Sequence, residues 1–209
     1  MPQDSSIVFV VDDDLSVRES IEALLRHEEF PVTIFETAQA FLAHPKPAVP
    51  SCLVLDVHLP DLNGLDLQRR LADDGSEMPI VFLTGYGDIP MSVRAMKAGA
   101  TEFLTKPFDN DVLLTAVQNA LARSQASFAR DSENRNLKAR FDSLSDRERS
   151  VMTLVVKGLL NKQVGGELGI SEITVKAHRG RAMQKMQARS FADLVKMASQ
   201  LGITPPPAT

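Results

Sequence analysis

The sequence predicts an α/β fold for the first half of the chain, a doubly wound five-stranded parallel sheet, joined to a small all-α helix-turn-helix domain. Three observations carry this. Five apolar runs, at 7–11, 32–35, 52–55, 79–83 and 101–104, are rich in Val, Ile, Leu or Phe and too short for helices. Helix-like stretches separate them, at about 15–28, 37–43, 64–73 and 90–98, with another from 109 onward. Alternating βα units make a parallel sheet covered by helices on both faces. From residue 144 the strand signal ends and the pattern becomes all-helical.

The strand ends are the chemically informative positions, because an open parallel sheet binds ligands at the carboxyl ends of its strands. The first run, Ile7 to Val11, is followed by Asp12, Asp13 and Asp14. Like charges repel, so such a cluster implies a positive partner. The third run, "CLVLD", ends at Asp56; the fourth, "IVFLT", at Thr84; the fifth, "EFLTKP", leads to Lys106-Pro107, a candidate cis bond. Four strands thus bring carboxylates, a hydroxyl and an amine to one edge. One acidic strand end could be a solvated loop, but successive ends bearing such residues point to a site. Oxygen donors of this kind suit a hard cation such as Mg²⁺. Asn63-Gly64 reads as a turn opening a helix.

The stretch 123–143 is polar and lacks Pro and Gly, which predicts a partly helical linker. Helices are expected at about 146–157, 161–167, 171–187 and 190–201, with Gly158, Gly169 and Gly202 at their ends. The tail "TPPPAT" is expected to be disordered. Within 161–181, Gly165 falls where two helices approach and Gly169 in the turn between them. Val164, Leu168, Ile170 and Val175 fall on the inward face. Ser171 can cap the second helix, which displays Lys176, His178, Arg179 and Arg181. A helix so presented can enter the major groove of DNA. In the last helix Leu194, Val195, Ala198 and Leu201 could pair two such domains or pack in the core.

Charge divides along the same line. Residues 1–122 hold 8 basic and 19 acidic side chains, net −11, whereas 123–209 hold 15 and 8, net +7. Such asymmetry suggests domains with different partners, the basic one a nucleic acid. The single cysteine, Cys52, rules out an internal disulfide framework and suits a reducing cytoplasm. No apolar run approaches the roughly 20 residues that span a bilayer, and Met-Pro-Gln-Asp does not open a signal peptide. A membrane partner is not expected.

Asp12-Asp13, "LDVHLPDLNGLDL", "TGYGDIPMSVRAMKAGA" and "FLTKPF" together make residues 5–122 resemble the receiver domain of two-component response regulators, most nearly the FixJ branch. The resemblance implies a flavodoxin-like sheet of order 2-1-3-4-5. It implies that Asp56 accepts a phosphoryl group from a sensor histidine kinase, and that Thr84 and Lys106 contact that group. It also implies Mg²⁺ held by Asp12, Asp13, Asp56 and the backbone carbonyl of His58. Gly85 would leave room, and Phe103 matches the switch aromatic of receivers, a core phenylalanine being the alternative. The segment "LSDRERSVMTLVVKGLLNKQVGGELGISEITVKAHRGRAMQKM" resembles the LuxR-type effector domain of the NarL/FixJ family. Lys176, Ala177 and Gly180 would then face bases, while Thr174, His178, Arg179 and Arg181 meet the DNA backbone. Gly166 and Gly180 depart from the pattern, since glycine weakens a helix and Gly180 offers no side chain.

The expected organisation is therefore a receiver over 1–122, a linker over 123–143 and a helix-turn-helix domain over 144–209. The expected function is a DNA-binding transcriptional regulator, not an enzyme. Its partners would be a sensor histidine kinase, double-stranded promoter DNA, RNA polymerase and, once phosphorylated, a second copy of itself. The rival class is a phosphohydrolase with Asp56 as nucleophile. Such enzymes carry a second acid two residues on, where this chain has His58. An RNA-binding antiterminator is a further rival, which the turn spacing disfavours.

Overall fold

The computed structural model describes residues 6–85 and 89–203. The tail from 204 and part of the stretch after Thr84 lie outside the described residues. The chain divides into two compact units, Met1–Ala129 and Arg130–Thr209.

In the first unit, strands β1 (Ile7–Val11), β2 (Val32–Phe35), β3 (Ser51–Asp56), β4 (Ile80–Thr84) and β5 (Glu102–Thr105) alternate with helices α1 (Leu15–His27), α2 (Ala38–Ala43), α3 (Gly64–Asp73) and α4 (Ile89–Lys97). Helix α5 (Asn110–Asp142) follows. The strands pair in parallel, in the order β2-β1-β3-β4-β5. Strand periodicity of two explains the layers. Along β1, Val8 and Val10 pack with Ile21 and Leu25 of α1 and Leu113 and Val117 of α5. Phe9 and Val11 pack on the other face with Phe41 of α2, Leu67 of α3 and Ala95 of α4. The sheet is thus covered on both sides, and the central strands β3 and β4 are buried throughout.

Register sets the functional edge. Val11 pairs with Leu55, Asp56 with Leu83, and Thr84 with Thr105. The next residue along β1 is Asp12 and along β5 is Lys106, so the four chemistry-bearing residues emerge side by side. The Lys106-Pro107 peptide is cis.

Where a partly helical linker was expected, α5 continues without a break through Asp142. The physical reason is compositional: nothing between 123 and 142 removes a backbone donor or adds glycine's entropy. In the second unit Leu137, near the end of α5, joins a core with α6 (Asp146–Val156), α7 (Asn161–Leu168), α8 (Glu172–Met186) and α9 (Phe191–Gln200). Its centre is Val151, Met152, Val164, Val175, Ala182, Met186, Leu194 and Ala198. The face of α9 considered for pairing is therefore spent on this core: Leu194 and Ala198 are fully buried, and Val195 and Leu201 pack against it. Gly165 lets α7 meet the turn, since a Cβ there would lie 2.7 Å from the carbonyl oxygen of Ile170. Gly169 ends α7 in the left-handed conformation, φ 66°, and Ser171 caps α8 through the N–H of Thr174.

Candidate functional site

The three aspartates after β1 divide their work. Asp14 is the N-cap of α1, accepting from the N–H groups of Ser16 and Val17. Asp12 and Asp13 belong to the pocket, and one carboxylate oxygen from each lies within 4.8 Å of an Asp56 oxygen. Asp12 is fully buried and Asp56 nearly so, while Asp13 is exposed.

Lys106 reaches between them. Its Nζ lies 2.6 Å from Asp12 Oδ2 and 2.6 Å from Asp56 Oδ2. Its backbone N–H donates to the carbonyl of Thr84 at 2.7 Å, tying the lysine to the neighbouring strand end. Burial pushes the Asp12 carboxyl above its ordinary pKa, against the hydrogen bond and charge of Lys106 and the N–H of Asp14. Burial also opposes the Lys106 ammonium, but its hydrogen bonds to the two carboxylates outweigh that and hold its pKa above the usual lysine value. One ammonium thus bonds two of the three clustered carboxylates, and the pocket keeps an excess of negative charge. The donors are hard oxygens in one cluster, with Lys106 compensating only part of their charge. They therefore fit a divalent cation of the Mg²⁺ type.

Around this core, the His58 N–H donates to Asp56 Oδ1 at 2.9 Å, orienting the carboxylate. The His58 ring is at the surface, with Nδ1 3.5 Å from Thr84 Oγ1, and Thr84 itself is fully buried. Gly85 has open space where a Cβ would project. Phe103 is half-buried, packs on the core and lies 6.2 Å from the Phe82 ring.

Two supporting residues escaped the reading of the sequence, and a third was read only as a turn. Buried Arg18 donates through Nη1 to the carbonyl of Asp12 at 2.6 Å, fixing the loop that carries the acids. The signal was there: Arg18 shares the inward stripe of α1 with Ile21 and Leu25. Asp61 accepts from the N–H groups of Ala38 and Gln39, which pins the loop after Asp56 to the start of α2. Gly64 does more than turn the chain, because a Cβ there would lie 2.4 Å from the Asp56 carbonyl oxygen.

In the second unit α8 turns Val175, Ala182 and Met186 inward. At 3.6 residues per turn the opposite ridge is Ile173, Ala177, Gly180 and Gln184. All four are exposed, Ile173 to 79%, and Ile173 was not singled out from sequence. Lys176 flanks the ridge on one side and pairs with Glu172 at 3.2 Å, an exposed contact of little energetic weight. Arg181, exposed, and Thr174, half-buried, flank it on the other. His178 lies closer to the core, half-buried, with a buried Nδ1 that has no hydrogen-bond partner among the described residues. Arg179 is also half-buried, beside Phe191 and Asn161.

Comparison with known proteins finds a family for each of the two units. The family model of the response regulator receiver domain matches residues 8–118, and that of bacterial regulatory proteins of the luxR family matches 142–198. Nodulation protein W of Bradyrhizobium diazoefficiens is 52% identical over 199 residues, 95% of this chain and 88% of that protein. The transcriptional regulatory protein FixJ of the same organism is 39% identical over 196 residues, 94% of this chain and 96% of its own. Among solved structures, the response regulator StyR aligns with a TM-score of 0.83 at 48% identity, covering 94% of this chain and 99% of that one.

Proposed function

The chain belongs to the response regulators that join a receiver domain to a luxR-family DNA-binding domain, and from that premise we propose that Asp56 is its phosphoryl acceptor. It is a DNA-binding regulator of a two-component system, with a histidine kinase and DNA as partners. The observation that carries the assignment is the Lys106 ammonium, 2.6 Å from both Asp12 and Asp56.

Asp56 attacks the phosphorus of a phosphohistidine; the P–O bond forms as the P–N bond breaks, and the imidazole leaves. Both reactants are anionic, so charge must be neutralised as they approach. Lys106 supplies one positive charge and pairs with phosphoryl oxygens. The Thr84 hydroxyl donates to the same group. Asp12, Asp13, Asp56 and the His58 carbonyl would hold Mg²⁺, whose chemistry is to screen and polarise the phosphoryl oxygens. Labelling with acetyl phosphate tests this: Asp56→Asn should take no label, and Asp13→Ala should need more Mg²⁺. Undiminished labelling of Asp56→Asn would move the acceptor to Asp12 or Asp13.

The functional division runs over 1–122, 123–143 and 144–209, with α5 spanning the middle segment. The ridge of α8 enters the major groove. Ala177 and Gly180 face the bases, with Lys176 at its edge, and Thr174, His178, Arg179 and Arg181 meet phosphates. Phosphorylation drives pairing of two copies. The face of α4 formed by Ile89, Val93 and Met96, exposed to 79%, 43% and 44%, supports this, because an apolar stripe at helical spacing gains by leaving water. Promoter binding then brings in RNA polymerase, and access to the chromosome implies the cytoplasm. Among the described residues no helix is long and apolar enough to cross a membrane.

A further inference from the structure

Arg179 is a basic side chain of α8 held by residues of two other helices. Its guanidinium carbon lies 4.7 Å from the centroid of Phe191, the first residue of α9. Its Nη1 lies 3.5 Å from Oδ1 of Asn161, the first residue of α7. On α8 it sits four residues after buried Val175 and three before buried Ala182, so its stem leaves the core-facing side. A charged side chain there must emerge at the boundary between core and surface. That boundary is the flank occupied by Lys176, one turn earlier. Phe191 is 38% exposed, so the stack lies at the surface.

We infer that Phe191 and Asn161 are positioning residues that brace the Arg179 guanidinium to clamp a DNA backbone phosphate on the Lys176 side of the groove, a reading that rests on the DNA contact proposed for α8. The chemistry favours phosphate over a base. A guanidinium whose carbon sits over an aromatic ring still has N–H donors at its edge to match a phosphate's oxygens. Among the described residues only Nη1 has an acceptor. The ridge facing the bases is a different set of residues, and Arg179 lies off it, toward the groove wall. Stacking also fixes a long side chain before DNA arrives, so less rotamer freedom is lost on binding. Asn161 and Phe191 each begin a helix, so the brace ties α7 and α9 to the recognition helix at one guanidinium.

The test uses the full chain and a random-sequence DNA duplex, with affinity read by fluorescence anisotropy over a salt series. Arg179→Ala should lower the slope of log K against log salt by about 1. Phe191→Leu should weaken binding about two- to fivefold, equally on random and promoter duplexes. Phe191→Tyr should restore it, and Asn161→Ala should produce a smaller loss. In an Arg179→Ala background Phe191→Leu should add nothing. Full affinity in Phe191→Leu, or the same loss with and without Arg179, overturns the brace; the latter would mean that Phe191 serves only the fold. Arg181→Ala, measured in parallel, separates the levels. If it weakens binding while Phe191→Leu does not, the brace fails and the interface stands. If neither weakens it, the DNA assignment of α8 fails as well.

Discussion

Lys106 is the residue on which the acidic pocket balances. Replacing it with Ala leaves Asp12 and Asp56 buried beside each other without their shared ammonium. Breaking a buried pair costs about 3–5 kcal/mol. Lys106→Ala should lose stability of that order in urea denaturation with EDTA present, and Mg²⁺ should return more stability to the variant than to the parent. Gly64 tests space rather than charge. A Cβ placed 2.4 Å from the Asp56 carbonyl oxygen cannot be accommodated without moving the end of β3 or the start of α3. Gly64→Ala should destabilise by about 1–3 kcal/mol and slow acetyl-phosphate labelling, both absent if the helix start simply slides. At this scale the acids, Thr84 and Lys106 were legible because each ends an apolar run. Arg18 and Asp61 were not, because their partners are backbone groups that only the folded chain brings near.

Among the elements, α6 and α8 are locked through Glu148. Glu148 accepts the N–H of Ser145 in a capping box, and Lys185 of α8 donates to it at 2.6 Å. The Lys185 hydrogen bond, with the Ser145 N–H, lowers its pKa from 4.5 to about 2. A depressed carboxylate stabilises the fold above its unfolded pKa and loses that contribution as pH falls through the folded one. Glu148→Gln should therefore melt below the parent at neutral pH, with the gap closing between about pH 4.5 and pH 2. A gap independent of pH would assign the effect to packing. Helix α7 offers the opposite case. Gly166 is exposed with open space where a Cβ would project. Gly166→Ala should stabilise the protein by about 0.8–1.0 kcal/mol, read as a higher urea midpoint. The Ser171 cap and the helix-ending glycines were readable in sequence because capping is local chemistry. The Glu148–Lys185 lock was not, since 37 residues separate its partners.

For the whole molecule, the reading requires that a phosphoryl group at Asp56 change how the chain binds DNA. One α8 presents few base-reading side chains, and Gly180 contributes none, so a single copy should hold DNA poorly. Two copies on adjacent half-sites would share one binding event, spaced about 10 bp centre to centre or a multiple. Beryllofluoride should therefore raise the mass in light scattering and tighten promoter binding together, and Val93→Asp on α4 should abolish both. A monomer that nonetheless binds DNA more tightly would put the coupling elsewhere. The sequence by itself determined the two-part architecture, the strands and helices, and the residues at each strand end. These follow from apolar periodicity, local capping and charge, which are properties of neighbouring residues. Tertiary structure alone decided the rest. Parallel register set Asp12 beside Asp56 and brought Lys106 between them; the unbroken α5 replaced a partly helical linker; core packing claimed the face of α9 and left Arg179 against Phe191. Each depends on which distant segments meet, because packing and long-range hydrogen bonds join residues that no local pattern relates.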